Sequence, residues 1–223
     1  MNKILSFIDF SGGVIYNRVM KKGLFVTFEG VDGCGKTTQL QLLAQHLKKL
    51  GKEVLVTREP GAEGLGNKLR KILLDYDDDV SDRCEMFLFL ADRAQHIDMI
   101  VNPAVNTGKI VLCDRHIDSS AAYQGYGRGL DIRRIDMLNM IATDGRRPDL
   151  TFVFDIDAET SMKRVGTEKD RMECAGMEFF NRVRRGYLEL AKQEPKRIKV
   201  IDASKTAEYV HNDVIRIFKD ILK

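Results

Sequence analysis

The stretch "LFVTFEGVDGCGKTTQLQLLAQHL", residues 24–47, leaves this chain few ways to fold. Residues 24–28 are a short apolar run without polar alternation, the pattern of a strand covered on both faces. The next residues, Gly30, Val31, Asp32, Gly33, Cys34, Gly35, Lys36 and Thr37, match G-x-x-x-x-G-K-[ST]. Behind them Leu40, Leu43, Leu47 and Leu50 keep helical spacing, and Gly51 stands where a helix stops. A strand, a glycine-rich turn and a helix in that order form a cradle for phosphate. Glycines let successive N–H groups face the anion, the lysine reaches the β- and γ-phosphates, and the Thr37 hydroxyl ligates Mg²⁺.

The rest of the chain continues the alternation. Apolar runs at 53–57, 109–114, 150–156 and 197–202 read as four more strands, with helical segments between them. The longest of these segments, 82–105, runs up to and around Pro103. The last, from about Thr206, puts Val210, Val214, Ile217 and Ile221 on one stripe. The expected fold is α/β, a doubly wound five-stranded parallel sheet flanked by helices. Ligands in such sheets bind at the carboxyl ends of the strands.

Composition excludes several other classes. The 223 residues suffice for one domain with a sizeable core, and 43% hydrophobic with 31% charged residues is an ordinary globular balance. A net charge of +3 is too small to argue for nucleic acid or membrane binding. No stretch approaches the ~20 apolar residues needed to span a bilayer. Cys34, Cys84, Cys113 and Cys174 lack metal-ligand spacing and read as reduced thiols of a cytoplasmic protein. Cys34 lies within reach of Lys36, which would favour its thiolate; the alternative is a small side chain fitted into a tight loop. Asp9 interrupts the N-terminal apolar run, so residues 1–22 are expected to be a dispensable tail rather than a signal peptide, and 23–223 a single domain.

Which phosphate user this is follows from the strand ends. No N-K-x-D guanine-reading motif is present, and the run "IVLC" ends in Asp114-Arg115 rather than the Asp-Glu of many motor ATPases. A carboxylate near Mg²⁺ followed by a guanidinium near phosphate suits a small phosphorylated acceptor.

Together "FEGVDGCGKTTQ", "TREPG" (57–61), "DRHIDSSAAYQG" (114–125), "RPDLTFVFDID" (147–157) and "DRME" (170–173) make the chain similar to bacterial thymidylate kinases over residues 22–223. The resemblance implies a P-loop nucleoside monophosphate kinase-like fold with a mobile lid at about 163–174. It implies transfer of a phosphoryl group from ATP to dTMP, giving dTDP for dTTP biosynthesis, with Mg²⁺ as cofactor and homodimers as the usual assembly. ATP would lie on residues 30–38, Thr38 included, with Arg164 stacked on adenine. Thr37 and Asp114 would serve the metal. dTMP would meet Asp32, Arg58, Phe89, Arg93, Arg115, Ser120, Tyr123 and Gln124. Phe89 would face the thymine ring and Arg93 its edge oxygen. Arg115 would grip the acceptor phosphate, Asp32 would accept from the 3′-hydroxyl, and Tyr123 would crowd the place of a 2′-hydroxyl. Glu59 is assigned to the waters of the metal and His116 to packing.

Phe89 and Arg93 are four apart and share a helix face, as an aromatic platform beside a guanidinium fork requires. The neighbours Phe87, Leu88 and Leu90 allow Phe89 to be core instead, and Asp32 could simply satisfy its own loop. Some relatives carry Arg where this chain has Gly33, so the missing positive charge is expected from the lid, at Lys169 or Arg171. Lys36, Arg115, Asp32 and one of these two complete the catalytic set. Two other readings stay open: a kinase for another nucleotide, and a nucleotide switch or assembly ATPase whose hydrolysis is indifferent to dTMP.

Overall fold

The structure, a computed structural model, describes residues 23–74, 80–164 and 176–221. The expected tail at 1–22, the greater part of the expected lid, and with it Lys169 and Arg171 lie outside the described residues.

Five strands form one sheet: β1 (Leu24–Glu29), β2 (Val54–Arg58), β3 (Ile110–Asp114), β4 (Leu150–Asp155) and β5 (Ile198–Asp202), in the order β2-β3-β1-β4-β5. Every pairing is parallel. Parallel neighbours need crossovers that return over a face of the sheet, so both faces are covered and the strands read as apolar runs. On one face of β1, Val26 and Phe28 meet Leu40, Leu43 and Leu47 of α1 (Lys36–Lys49) and Val210 and Val214 of α9 (Ala207–Ile221). On the other, Phe25 joins Ile97, Val101 and Val105. Leu43 is fully buried, and truncating such a side chain to Ala costs about 2–5 kcal/mol.

Helix α1 stops where Gly51 allows it to: Gly51 has φ 71° and Lys52 N–H donates back to the Leu47 carbonyl. Helix α2 is Gly64–Leu74, and α3 (Asp82–His96) is capped by Ser81, whose hydroxyl accepts from Cys84 N–H. The segment does not end at Pro103. A π-helical turn at Ile97–Val101 leads into α4 (Asn102–Asn106), which holds Pro103 in its first turn, where a missing N–H is tolerated.

After β3 come α5 (Ile117–Ser120), a π-helical turn at Ala121–Gly127 and α6 (Ile132–Ala142). Helices α7 (Ala158–Arg164) and α8 (Met177–Gln193) lie between β4 and β5. The chain leaves β1 for β2 and β3 on one side and later reaches β4 and β5 on the other. The crevice at the carboxyl end of β1 is therefore the switch point of the sheet, and the glycine-rich loop occupies it.

Candidate active site

The loop after β1 turns on backbone shapes that only glycine adopts freely. Gly30 has φ 141°, and a Cβ there would lie 2.7 Å from the Phe154 carbonyl and 2.8 Å from Cys34 Sγ. Gly33 (φ 77°) and Gly35 (φ 88°) are also left-handed, the latter opening α1. Val31 and Cys34 pack into the core, while Thr37 and Thr38 stand exposed in the first turn of α1. Burial pushes the Cys34 thiol above its ordinary value despite Lys36 nearby, so this thiol packs and is not a favoured thiolate.

Three polar side chains converge beside the loop. Arg115 Nη2 donates to Asp32 Oδ1 at 2.5 Å and to Tyr123 OH at 3.1 Å, and Tyr123 OH donates to Asp32 Oδ2 at 3.1 Å. Lys36 Nζ stands 3.4 Å from Asp32 Oδ1. Burial would raise the Asp32 carboxyl, but Arg115 and Lys36 outweigh it and hold Asp32 well below the usual carboxylate range. Arg115 itself has φ 71°, a left-handed shape uncommon for a residue with a side chain, and its N–H extends the ladder to the Phe28 carbonyl. The guanidinium lies 4.9 Å from the centroid of the Tyr123 ring.

At the adjoining strand end Thr37 Oγ1 donates to Asp114 Oδ2 at 2.5 Å. A neutral hydroxyl and a carboxylate meeting at the phosphate loop are hard oxygen donors of the kind Mg²⁺ prefers, and an ion that arrives with a polyphosphate needs only one or two of them. Among the described residues no group of three or more His, Cys, Asp or Glu forms a metal cage.

These groups open on a cavity of 590 Å³ whose walls include Asp32, Lys36, Thr37, Arg58, Phe89, Arg93, Asp114, Arg115, Ser120, Tyr123 and Gln124. Phe89 is half-buried with its ring on the wall, so it is not a core phenylalanine. Arg93 is 1% exposed, and four of its five N–H groups are held. Nε donates to Glu59, Nη1 to Ser120 and Asn139, and Nη2 to the His116 carbonyl, all between 2.6 and 3.0 Å. Gln124 donates to Glu85 at 2.9 Å, and Arg58 reaches the Gly61 carbonyl at 3.3 Å from an exposed strand end.

Glu59 departs from its assignment to the waters of the metal. It is 4% exposed, and its oxygens accept from Arg93, from His96 Nδ1 at 2.7 Å and from His116 Nδ1 at 2.9 Å. Although burial raises a carboxyl, these neighbours hold Glu59 well below its ordinary value. His116 is wholly buried, edge-on to Phe25 at 4.9 Å, and burial holds its pKa down. On the other flank of the loop, Ser161 of α7 donates to the Asp32 carbonyl, and one turn later Arg164 Nη1 reaches the Ala203 carbonyl at 3.3 Å. Arg164 is thus apart from the cavity, beside the segment that joins β5 to α9.

Several participants escaped the reading of the sequence. Asn139, on α6, meets Arg93 across 46 positions and carries no motif. Glu29 was legible only as an acid closing an apolar strand. Ser119 and Tyr187 belong to its partners, Tyr187 from α8 across 158 positions.

The thymidylate kinase family model matches residues 28–214. The chain belongs to the thymidylate kinase family. Among curated members it is 47% identical over 202 residues to the thymidylate kinase of Thermoanaerobacter sp. (strain X514), covering 90% of this chain and 100% of that one. It is 46% identical to the thymidylate kinase of Maridesulfovibrio salexigens, covering 86% and 93%. The crystal structure of a thymidylate kinase from Ehrlichia chaffeensis superposes with a TM-score of 0.75 at 38% identity, covering 88% of this chain and 98% of that one. The matched span of the thymidylate kinase family model includes the phosphate loop, the Asp114-Arg115 strand end and Arg164.

Proposed function

We propose that this chain transfers the γ-phosphoryl group of ATP to dTMP, forming dTDP. One observation carries the reading: Arg115, Asp32 and Tyr123 are bonded to one another beside Lys36, at the mouth of a cavity walled by Phe89 and Arg93. That is an anion grip for an acceptor phosphate next to a grip for the donor, with an aromatic wall for the base between them.

Phosphoryl transfer asks mainly for alignment and charge neutralisation. The acceptor phosphate is already a nucleophile at neutral pH, so no basic histidine is needed. Lys36 and the loop amides hold the donor, with Arg164 on adenine. Arg115 orients the acceptor phosphate while Asp32 accepts from the 3′-hydroxyl, and the Tyr123 ring occupies the space of a 2′-hydroxyl. Mg²⁺ supplies further neutralisation of the polyphosphate, and Thr37 and Asp114 are the residues that would hold it. Lys169 or Arg171 supplies the charge that Gly33 lacks, and closure over the site keeps water from competing for the phosphoryl group.

Coupled ATP consumption across a panel of nucleoside monophosphates tests this. Turnover should be fastest with dTMP and should vanish when magnesium is chelated. Faster turnover with dUMP or dCMP, or hydrolysis indifferent to dTMP, overturns it. Separate Lys169→Ala and Arg171→Ala variants then locate the added charge, since one should lose turnover with little change in dTMP binding. Equal, parental turnover in both rejects that assignment.

The protein works as a homodimer in the cytoplasm. Helices α3 and α6 pack together and leave Phe87, Met137, Met140 and Ile141 exposed, an apolar face that a second copy would cover. Free Cys34, Cys84 and Cys113 are in keeping with a reducing compartment, and no helix among the described residues is long and apolar enough to cross a membrane.

A further inference from the structure

Glu29 closes β1 one residue before the phosphate loop, and it is completely buried. Among the described residues its hydrogen-bond partners are three donors without charge, and none is a Lys or Arg side chain. Oε1 accepts the His116 backbone N–H at 2.7 Å. Oε2 accepts from Ser119 Oγ at 2.5 Å and from Tyr187 OH at 2.9 Å. Both hydroxyls lie in turn against Arg115, whose Nη1 is 3.3 Å from Ser119 Oγ and 3.4 Å from Tyr187 OH, while also donating to the Gly30 carbonyl at 3.1 Å.

Counting protons fixes the direction of these bonds. Each hydroxyl has one proton and an arginine can only donate. When Glu29 is ionised both hydroxyl protons point at it, and the oxygen lone pairs are left facing Arg115. A protonated Glu29 must instead donate to one of them; that hydroxyl then turns its proton toward the other, 2.9 Å away, and the lone pairs that faced Nη1 are rearranged. The other oxygen of Glu29 holds the amide immediately after the left-handed backbone of Arg115. A carboxylate at this point therefore acts on both ends of one residue.

We propose that Glu29 is a positioning residue for Arg115, holding the backbone of that arginine through His116 N–H and its guanidinium through the Ser119 and Tyr187 hydroxyls. The inference rests on the reading of Arg115 as the grip on the acceptor phosphate. A carboxylate that merely tied β1 to the following turn would not need two hydroxyls oriented toward a cation. Burial and the neighbouring Asp118 charge push the Glu29 carboxyl up to about 7, with Ser119, Arg115 and Tyr187 opposing them. The charges that face Glu29 are Asp118 from α5 and Arg115 from the end of β3, with the phenol of Tyr187 from α8; Asp118 is itself held by Arg197 at 2.7 Å.

The ionisation of Glu29 thus falls within the working range of pH, and kcat/KM reports groups of the free enzyme and free substrate. The parent protein should show an acid limb in kcat/KM for dTMP that combines the substrate phosphate, near ~6, with a second group above it. In Glu29→Gln the upper group should disappear and leave only the substrate limb. Its kcat at pH 8 should fall by about 10- to 100-fold through misplacement of Arg115, with KM for ATP unchanged. An unchanged acid limb, or parental kcat, overturns the proposal. The Ser119→Ala/Tyr187→Phe double variant keeps the carboxylate and serves if Glu29→Gln fails to fold; it should lose kcat similarly, and parental kcat there also overturns the proposal. Arg115→Ala separates the two readings. If it keeps parental kcat/KM for dTMP, the role of Arg115 itself fails; if it collapses while Glu29→Gln keeps the parental rate and limb, only the role of Glu29 fails.

Discussion

Arg115 Nη2 and Asp32 Oδ1 stand 2.5 Å apart although they come from different strand ends, 83 positions distant. The pair is set by the parallel register of β1 and β3, which places Phe28 opposite Asp114 and so delivers both turns to one crevice. An incoming phosphate would compete with Asp32 for the guanidinium, with Lys36 close by as a second cation. The sign of the pH effect is clear. Asp32 is depressed in the fold from its ordinary 3.8, so its contribution to stability is complete above that value and lost as pH falls through its folded value.

Replacing Arg115 with Lys keeps the charge but removes the planar fork that spans Asp32 and Tyr123 and, on the proposed function, the acceptor phosphate. The expected loss is about 10²-fold or more in kcat/KM for dTMP, with ATP binding spared. Steady-state kinetics with each substrate varied in turn would check this, and a variant within threefold of the parent would refute it.

Glu59→Gln is expected to destabilise the protein more than any surface change. It keeps the shape but leaves the Arg93 guanidinium, 1% exposed, without its counter-ion. Breaking one partner of a buried pair costs about 3–5 kcal/mol. Urea unfolding measures that cost, and KM for dTMP should rise with it because Arg93 lines the cavity.

Asp92 offers the opposite sign. Its Oδ1 accepts from Gly61 N–H at 3.1 Å, but its Oδ2 is buried with no partner among the described residues, and burial together with Glu59 pushes the carboxyl up to about 6. The fold therefore favours the protonated acid, and stability from this group declines as pH rises from 3.8 to about 6. Asp92→Asn does not titrate, so it should gain about 2 kcal/mol on the parent between pH 4 and pH 7. Unfolding midpoints at the two pH values would show the gain; a gap independent of pH would rule it out.

Met137→Lys and Ile141→Lys place charges on the apolar face formed by α3 and α6, where the parent side chains are 64% and 72% exposed. Light scattering should report a dimer for the parent and a monomer for the double variant. Thermal stability of the isolated fold should change little, as both side chains already face water in one copy.

Much of this protein is legible in its sequence. The five strands fall within a residue or two of the apolar runs, because strands buried on both faces cannot carry polar alternation. The loop residues were fixed by motif, and the helix stop at Gly51 by its left-handed backbone. Where spacing is short the placement follows from it: Phe89 and Arg93, four apart on α3, both line one cavity. Glu59 was misjudged because its position after a strand end says nothing about which side chains close around it. His96, His116 and Arg93 arrive there from a helix and from a turn.

The sequence by itself determined the alternation of strands and helices, the glycine-rich loop and the Asp114-Arg115 strand end beside it. Each of those is written in residues close together, through steric rules that act within a turn or a strand. Only the tertiary structure decided that Glu29 reaches Tyr187, that Asn139 reaches Arg93 and that Glu59 is spoken for. Those contacts join residues up to 158 positions apart. They depend on strand register and helix packing, and a polar side chain inside a core bonds whichever group packing brings within 3 Å or so of it.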